Sequence, residues 1–127
     1  MAGHWDDVPA LLVEAEQEAR RGGLLALRAH ALRLEGRAAR ARSDLDSAID
    51  ALSRARVEFH RLGARWERAC TELDLAESLA AVKRPDQARA CLTGAWPVLD
   101  ELHSVDELAR ATELRARLSA GQGSGRS

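Results

Sequence analysis

The residue types most often used in catalysis are few in this 127-residue chain and lie far apart along it. The two cysteines, Cys70 and Cys91, show no CxxC spacing and no nearby activating histidine, which favours buried, inert thiols in a reducing compartment. The histidines do not pair with His, Asp or Glu at the spacing of a metal site; they are His4, His30, His60 and His103. A phosphate-binding glycine loop would need a preceding strand, and no window reads as a strand. The sequence therefore predicts no enzyme, no cofactor and no metal site.

The bulk composition is that of an ordinary globular domain. Hydrophobic residues make up 46% of the chain and charged residues 31%, so a core can form without disulfide or metal. A net charge of -1 and only 3% aromatic residues disfavour nucleic acid as a partner. No apolar run reaches the roughly 20 residues that span a bilayer, and the N-terminus lacks the basic and apolar regions of a signal peptide. We therefore expect a cytoplasmic protein with no membrane contact.

Ala, Leu, Arg and Glu dominate the sequence, and all four are good helix formers. Helix-breaking residues recur at regular places, and apolar residues between them follow three- and four-residue spacing. The pattern predicts an all-α chain of about six helices, near residues 6–21, 24–42, 45–62, 65–83, 86–102 and 105–119. The first break is Gly22-Gly23; Asp7 is a candidate cap for the first helix, and Ser43 or Asp44 for the third. One domain over residues 1–120 and a flexible tail over residues 121–127 follow from this pattern.

The informative feature is a repeat with a period of 40 residues. Three sets of residues recur in register on one helical face: Val8, Ala48 and Ala88; Leu12, Leu52 and Leu92; Ala15, Ala55 and Ala95. Small residues on a fixed face let two helices approach closely, and the leucine between them fills the groove. The repeating unit is thus a helix–turn–helix hairpin. The alternative is an unrelated helical bundle whose alanine spacing is accidental in an alanine-rich chain.

This pattern resembles the tetratricopeptide repeat, whose first helix carries a small residue and whose second carries a small, a bulky and a small residue. Two sets fit: Gly36, Ala48, Leu52 and Ala55, and then Ala76, Ala88, Leu92 and Ala95. The aromatic residues typical of the repeat are missing, and the period exceeds the usual length of about 34 residues. The longer variant is similar to repeats in large bacterial signalling proteins, including ATPase-containing transcription regulators and class III adenylyl cyclases. The resemblance implies a right-handed solenoid, a stack of antiparallel helical hairpins.

The same resemblance implies a concave groove lined by side chains of the first helix of each hairpin. In the first complete repeat these are His30, Arg33, Arg37 and Arg40, whose spacing puts all four on one helical face. Guanidinium groups in a row suit an acidic peptide, a C-terminal carboxylate or a phosphate. Alternatively, Asp74 and Glu77 on the neighbouring helix already neutralise the row.

The register leaves the first predicted helix without the partner that would complete its hairpin. An array that begins on half a repeat exposes an apolar edge, so we expect either a fragment of a longer protein or a homodimer through the N-terminal edge. Trp5 is placed to help cover that edge. Trp96 is either an interface anchor or part of the core. The last helix is expected to cap the array. Its spacing predicts Leu108, Ala111, Leu114 and Leu118 inward, and Glu107, Arg110, Glu113, Arg115 and Arg117 outward.

The function that these features favour is a scaffold that binds another protein or a peptide, with an acidic peptide among the candidate partners. The alternative is a sensory or regulatory segment of a larger bacterial signalling or transcription-regulatory protein, in which the groove binds a small ligand.

Overall fold

The protein is all-α, as its sequence predicts. A computed structural model describes the backbone of residues 3–102 and 104–124, and the side chains of residues 13–102 and 104–121. Within these ranges five helices stack against one another: α1 (Gly3–Ala41), α2 (Leu45–Arg61), α3 (Arg65–Ala81), α4 (Pro85–Glu101) and α5 (Val105–Ser124). None of the helices in the described part of the chain is both long and apolar enough to cross a membrane.

Helix α1 runs without interruption through Gly22-Gly23, so the predicted break there is wrong and six predicted helices become five. Glycine in a helix interior costs only about 1 kcal/mol relative to alanine, and it still donates and accepts the helical hydrogen bonds. No described heavy atom lies within 4 Å of a Cβ built at either glycine, so no tertiary contact in the described part of the chain favours a turn. The predicted cap at Asp7 is wrong for the same reason, because α1 already begins at Gly3.

The connections between the helices repeat every 20 residues, with helix starts at residues 45, 65, 85 and 105. Ser43, Gly63 and Lys83 hold φ angles of 63°, 68° and 62°, the left-handed conformation that commonly ends a helix. The next residue along then donates its N–H to a carbonyl five residues back, as Ala64 does to Phe59 at 3.0 Å. Asp44, rather than Ser43, caps α2 by accepting a hydrogen bond from the N–H of Ser47.

Consecutive helices run antiparallel and pack through small residues. A Cβ added to Gly36 of α1 would lie 2.6 Å from Cγ of Leu52 in α2, and Ala29 packs with Phe59 at the far end of α2. All eight residues of the two repeat sets are buried: Gly36, Ala48, Leu52, Ala55, Ala76, Ala88, Leu92 and Ala95. The main core lies around α3, which packs between α2 and α4.

Helix α5 closes the core and extends further than predicted. Its inward residues Ala111, Leu114 and Leu118 are buried, as the sequence indicates. The helix ends at Ser124 rather than near residue 119, so the first four residues of the predicted tail are helical. Residues 125–127 lie outside the described part of the chain.

Candidate functional site

The largest group of interacting charges joins α1, α3 and α5. Nε of Arg33 donates to Oδ2 of Asp74 at 2.9 Å, and Nη1 of Arg40 donates to Oε1 of Glu77 at 3.0 Å. Arg110 of α5 donates to Oδ1 of Asp74 at 2.8 Å and also donates to Glu77. We call these five residues the arginine–carboxylate cluster. It holds three cations against two carboxylates and ties together three helices that are not consecutive in the chain.

Burial makes this cluster a strong structural element. Asp74 is 1% exposed, so its carboxylate depends on the two guanidinium groups for hydrogen bonding. Burial acts to lower the pKa of Arg110, but its hydrogen bonds to Glu77 and Asp74 outweigh burial and raise that pKa above the ordinary value. The pairing therefore uses charge within the molecule that a groove would otherwise offer to a ligand.

The four residues of the predicted groove do not act together. Arg33 and Arg40 are held by Asp74 and Glu77, while Arg37 is exposed and makes no ion pair with any residue whose side chain is described. The ring of His30 packs edge-on against Phe59 of α2, with ring centroids 5.0 Å apart. Among the side chains described at this face, an anionic ligand would therefore meet one guanidinium without an ion pair rather than a row of them.

Arg110 was predicted to point outward, and this is wrong. Its guanidinium lies between the two carboxylates of α3. Sequence periodicity alone does not reveal this position, because the contact depends on how α5 packs across α3. The one signal in the sequence is that Asp74 and Glu77 stand among Leu73, Leu75, Ala76 and Leu79, and a carboxylate buried among apolar residues requires a cation.

A second buried carboxylate, Glu72, lies between α2 and α4. It is 2% exposed, and its Oε1 lies 3.4 Å from Nε of Arg68 and 3.6 Å from Nε of Arg56. Its Oε2 has no hydrogen-bond partner within the described residues. Burial raises the pKa of Glu72 even though Arg56 and Arg68 act to lower it. Gly94 of α4 makes room for this carboxylate, because a Cβ there would lie 2.6 Å from Oε2.

A cleft of about 440 Å³ opens between α4 and α5. The guanidinium of Arg115 lies 4.0 Å from the centre of the Trp96 ring, an arrangement typical of cation–π contact. Trp96 is half-buried: it packs against the main core and also lines the cleft. The full lining is Arg89, Leu92, Thr93, Trp96, Pro97, Arg115, Leu118 and Ser119. The side chain of Trp5, the other candidate anchor, lies outside the described residues.

The outward face of α1 is apolar and exposed. We define it by Leu24, Leu27, Ala31, Leu34 and Ala38, which follow one another at spacings of three and four residues. Leu24, Leu27 and Leu34 are 67%, 66% and 64% exposed. This face lies opposite Ala29 and Gly36, which contact α2. Sequence reasoning missed it, because the predicted break at Gly22-Gly23 placed the open edge on a separate first helix.

The two cysteines and the metal-ligating side chains are the remaining candidates for chemistry. Burial raises the pKa of Cys70 to about 11 and also raises that of Cys91, so both thiols stay protonated near neutral pH. Among residues with described positions, no three His, Cys, Asp or Glu side chains are grouped so that they could hold a metal ion.

Comparisons of the chain with protein-family models, curated proteins and solved structures find no match.

Proposed function

We propose that this chain is a protein-binding module, a helical-repeat scaffold of the tetratricopeptide type, and that it contacts its partner through the outward face of α1. The observation that carries the proposal is the row of three leucines on that face, each about two-thirds exposed. Contiguous apolar surface rimmed by charged residues is typical of protein-interaction sites. Helices α2 and α3 cover only the opposite side of α1.

The repeat assignment draws support from burial and from period. The two residue sets that carry the resemblance are buried at helix contacts, and helix starts recur every 20 residues, half the 40-residue period. In repeat arrays each hairpin packs on its neighbours, so an end hairpin has one face that the array itself does not cover. The outward face of α1 occupies that position.

Binding of an acidic peptide in the arginine groove has less support. Arg33 and Arg40 would have to leave Asp74 and Glu77 to bind it, and the buried Asp74 would then lose one of its two cations, which is costly. A peptide or protein that buries apolar side chains against Leu24, Leu27 and Leu34 needs no such rearrangement.

The test is capture of proteins from the organism that encodes the chain, with the immobilised chain as bait. We expect a distinct set of proteins to bind the wild-type chain and to be lost from Leu27→Glu/Leu34→Glu. The matched control is Leu102→Glu/Val105→Glu, which alters two other exposed apolar residues outside α1. Equal capture by all three baits would contradict the proposal, as would capture of nothing by any of them.

The second candidate is a regulatory segment of a larger bacterial signalling or transcription-regulatory protein, and the cleft beside Trp96 favours it. Apolar walls with Arg89 and Arg115 at the cleft suit a small apolar carboxylate. The test is titration with decanoate, followed by the fluorescence of Trp96 in a Trp5→Phe/Trp66→Phe variant. Saturable quenching that Arg115→Met weakens would support this function, and an unchanged spectrum would contradict it.

A further inference from the structure

Charge is segregated along α1. Residues 3–18 contain five carboxylates and no lysine or arginine: Asp6, Asp7, Glu14, Glu16 and Glu18. Residues 20–41 contain one carboxylate, Glu35, and six arginines: Arg20, Arg21, Arg28, Arg33, Arg37 and Arg40. The helix spans Gly3–Ala41, so its midpoint is residue 22 and the charge changes sign near that midpoint. Such a helix is electrostatically complementary to a copy of itself laid in the opposite direction.

The apolar residues lie where such a copy would pack. The outward face of α1 has the alternating three- and four-residue spacing of a coiled-coil seam. The same spacing continues towards the N-terminus through Arg20, Gln17 and Val13, and Val13 is 51% exposed. Because α2 and α3 pack on the other side of α1, a second helix meets no obstacle from the hairpin here.

We propose that two copies of the chain form a symmetric dimer by antiparallel pairing of their α1 helices, centred near Gly22. The proposal rests on the proposed function, since it uses the same face and names a second copy as the partner. In this register Ala31 of one copy lies beside Val13 of the other. Arg28 then faces Glu14 of the second copy, and His30 faces Glu16.

The direction of pairing follows from the charges. A parallel pair would place the two acidic halves together and the two basic halves together, which is destabilising. The antiparallel pair instead sets the acidic half of each α1 against the basic half of the other. Gln17 and Arg20 are the polar members of the seam and lie close to the centre. Polar residues at one part of a seam fix register at some expense of stability.

The first measurement is sedimentation velocity over a range of micromolar concentrations. We expect wild type to dimerise, and Leu27→Glu/Leu34→Glu to weaken association at least about tenfold, because charged side chains would be buried in the seam. The control Leu102→Glu/Val105→Glu should dimerise as wild type does. Raising the salt from about 0.05 M to about 0.5 M should weaken the dimer. A wild-type chain that stays monomeric at low salt would overturn the proposal, and far-UV circular dichroism verifies that each variant is folded.

Charge exchange tests complementarity. Glu14→Arg/Glu16→Arg places arginines opposite Arg28 and His30 of the second copy. Arg28→Glu/Arg37→Glu instead places a glutamate opposite Glu14 of the second copy. Each variant alone should associate at least about tenfold more weakly than wild type. An equimolar mixture of the two should recover association. A mixture that stays monomeric would contradict the proposal.

Orientation is tested by cysteine cross-linking. Val13→Cys and Ala31→Cys chains, mixed under oxidising conditions, should form the mixed disulfide in preference to either symmetric one. Cys70 and Cys91 are buried and should not interfere. Preferred cross-linking of Ala31→Cys to itself would overturn the antiparallel arrangement. If wild type is monomeric but the leucine-dependent capture described above succeeds, the proposed function stands and the dimer does not.

Discussion

Arg110 of α5 donates a hydrogen bond of 2.8 Å to Asp74 of α3, a carboxylate that is almost wholly buried. The same carboxylate accepts a hydrogen bond from Arg33 of α1. One aspartate thus joins the first, third and fifth helices, which have few other contacts with one another. The arginine–carboxylate cluster therefore holds the stack together across its face and leaves little free charge there for a ligand.

Replacing Arg110 by methionine should destabilise the fold by about 2 kcal/mol, because the buried Asp74 and the partly buried Glu77 lose a shared cation. The effect should fall short of that for a fully buried pair, since the Arg110 side chain stays 36% exposed. Urea unfolding measures the change. Arg115→Met on the same helix is the control and should cost about 1 kcal/mol or less, for the loss of cation–π contact with Trp96. Equal losses in both variants would contradict a structural role for the cluster.

Alanine substitution should have opposite effects at two glycines of α1. At Gly36 the new Cβ would lie 2.6 Å from Leu52, so overpacking of about 1–3 kcal/mol should exceed the gain in helix propensity. At Gly22 the Cβ meets nothing, and Gly22→Ala should stabilise the protein by up to about 1 kcal/mol. Thermal unfolding compares the two. Destabilisation by Gly22→Ala would indicate a turn at Gly22-Gly23 and contradict a continuous α1.

The turns that end α2 and α3 allow a second matched pair of substitutions. Gly63 and Lys83 hold nearly the same left-handed φ angle, which costs a residue with a Cβ about 1–2 kcal/mol. Gly63→Ala should therefore destabilise the fold, and Lys83→Gly should stabilise it by up to about 1 kcal/mol. The midpoint of urea unfolding, compared between variants with the same m-value, measures the change in stability. Two shifts of the same sign would be inconsistent with these turns.

Glu72 should make stability depend on pH. Because burial raises its pKa in the folded state, folding favours the protonated carboxyl. The stabilising contribution of that proton is full below the unfolded value near 4.5 and is lost as pH rises through the folded pKa. Relative to Glu72→Gln, the wild-type protein should therefore lose stability as pH rises from 4 to 7. Urea unfolding of both proteins across that pH range measures their free energies of unfolding. A difference between the two free energies that stays constant with pH would contradict the prediction.

The two thiols should be unreactive in the folded protein. Cys70 and Cys91 are buried with raised pKa values, so few thiolates form at neutral pH. Iodoacetamide labelling, followed by mass spectrometry, should proceed at a rate limited by opening of the fold and should accelerate in urea. An exposed cysteine introduced at Ser119 serves as the reactive reference. Labelling of Cys70 or Cys91 as fast as the reference would contradict the burial of these thiols.

Most of the helix limits follow from local sequence. Helix α2 begins and ends within one residue of the prediction, because Asp44 caps its start and left-handed Gly63 follows its end. Periodicity likewise identified the buried residues Ala111, Leu114 and Leu118 of α5. These features depend on propensity and spacing within one helix, which a sequence carries directly.

The pairing of the groove arginines and the exposed face of α1 could not be predicted from local sequence. Two glycines between helix formers are compatible with either a turn or a continuous helix, and the choice depends on whether another element packs against them. From sequence alone, Arg33 and Arg40 could bind either a ligand or a neighbouring carboxylate. Only the packing of α3 against α1 shows that they pair with Asp74 and Glu77.

By itself, then, the sequence determined that the chain is all-α, where the turns between helices fall from Ala41 onward, and which side of each later helix is apolar. The tertiary structure decided that α1 is one helix, that Arg110 turns inward, and that Leu24, Leu27 and Leu34 lie uncovered on its outer side. The physical reason is range: capping and periodicity act within a few residues, whereas these three features depend on contacts, or on their absence, between segments tens of residues apart.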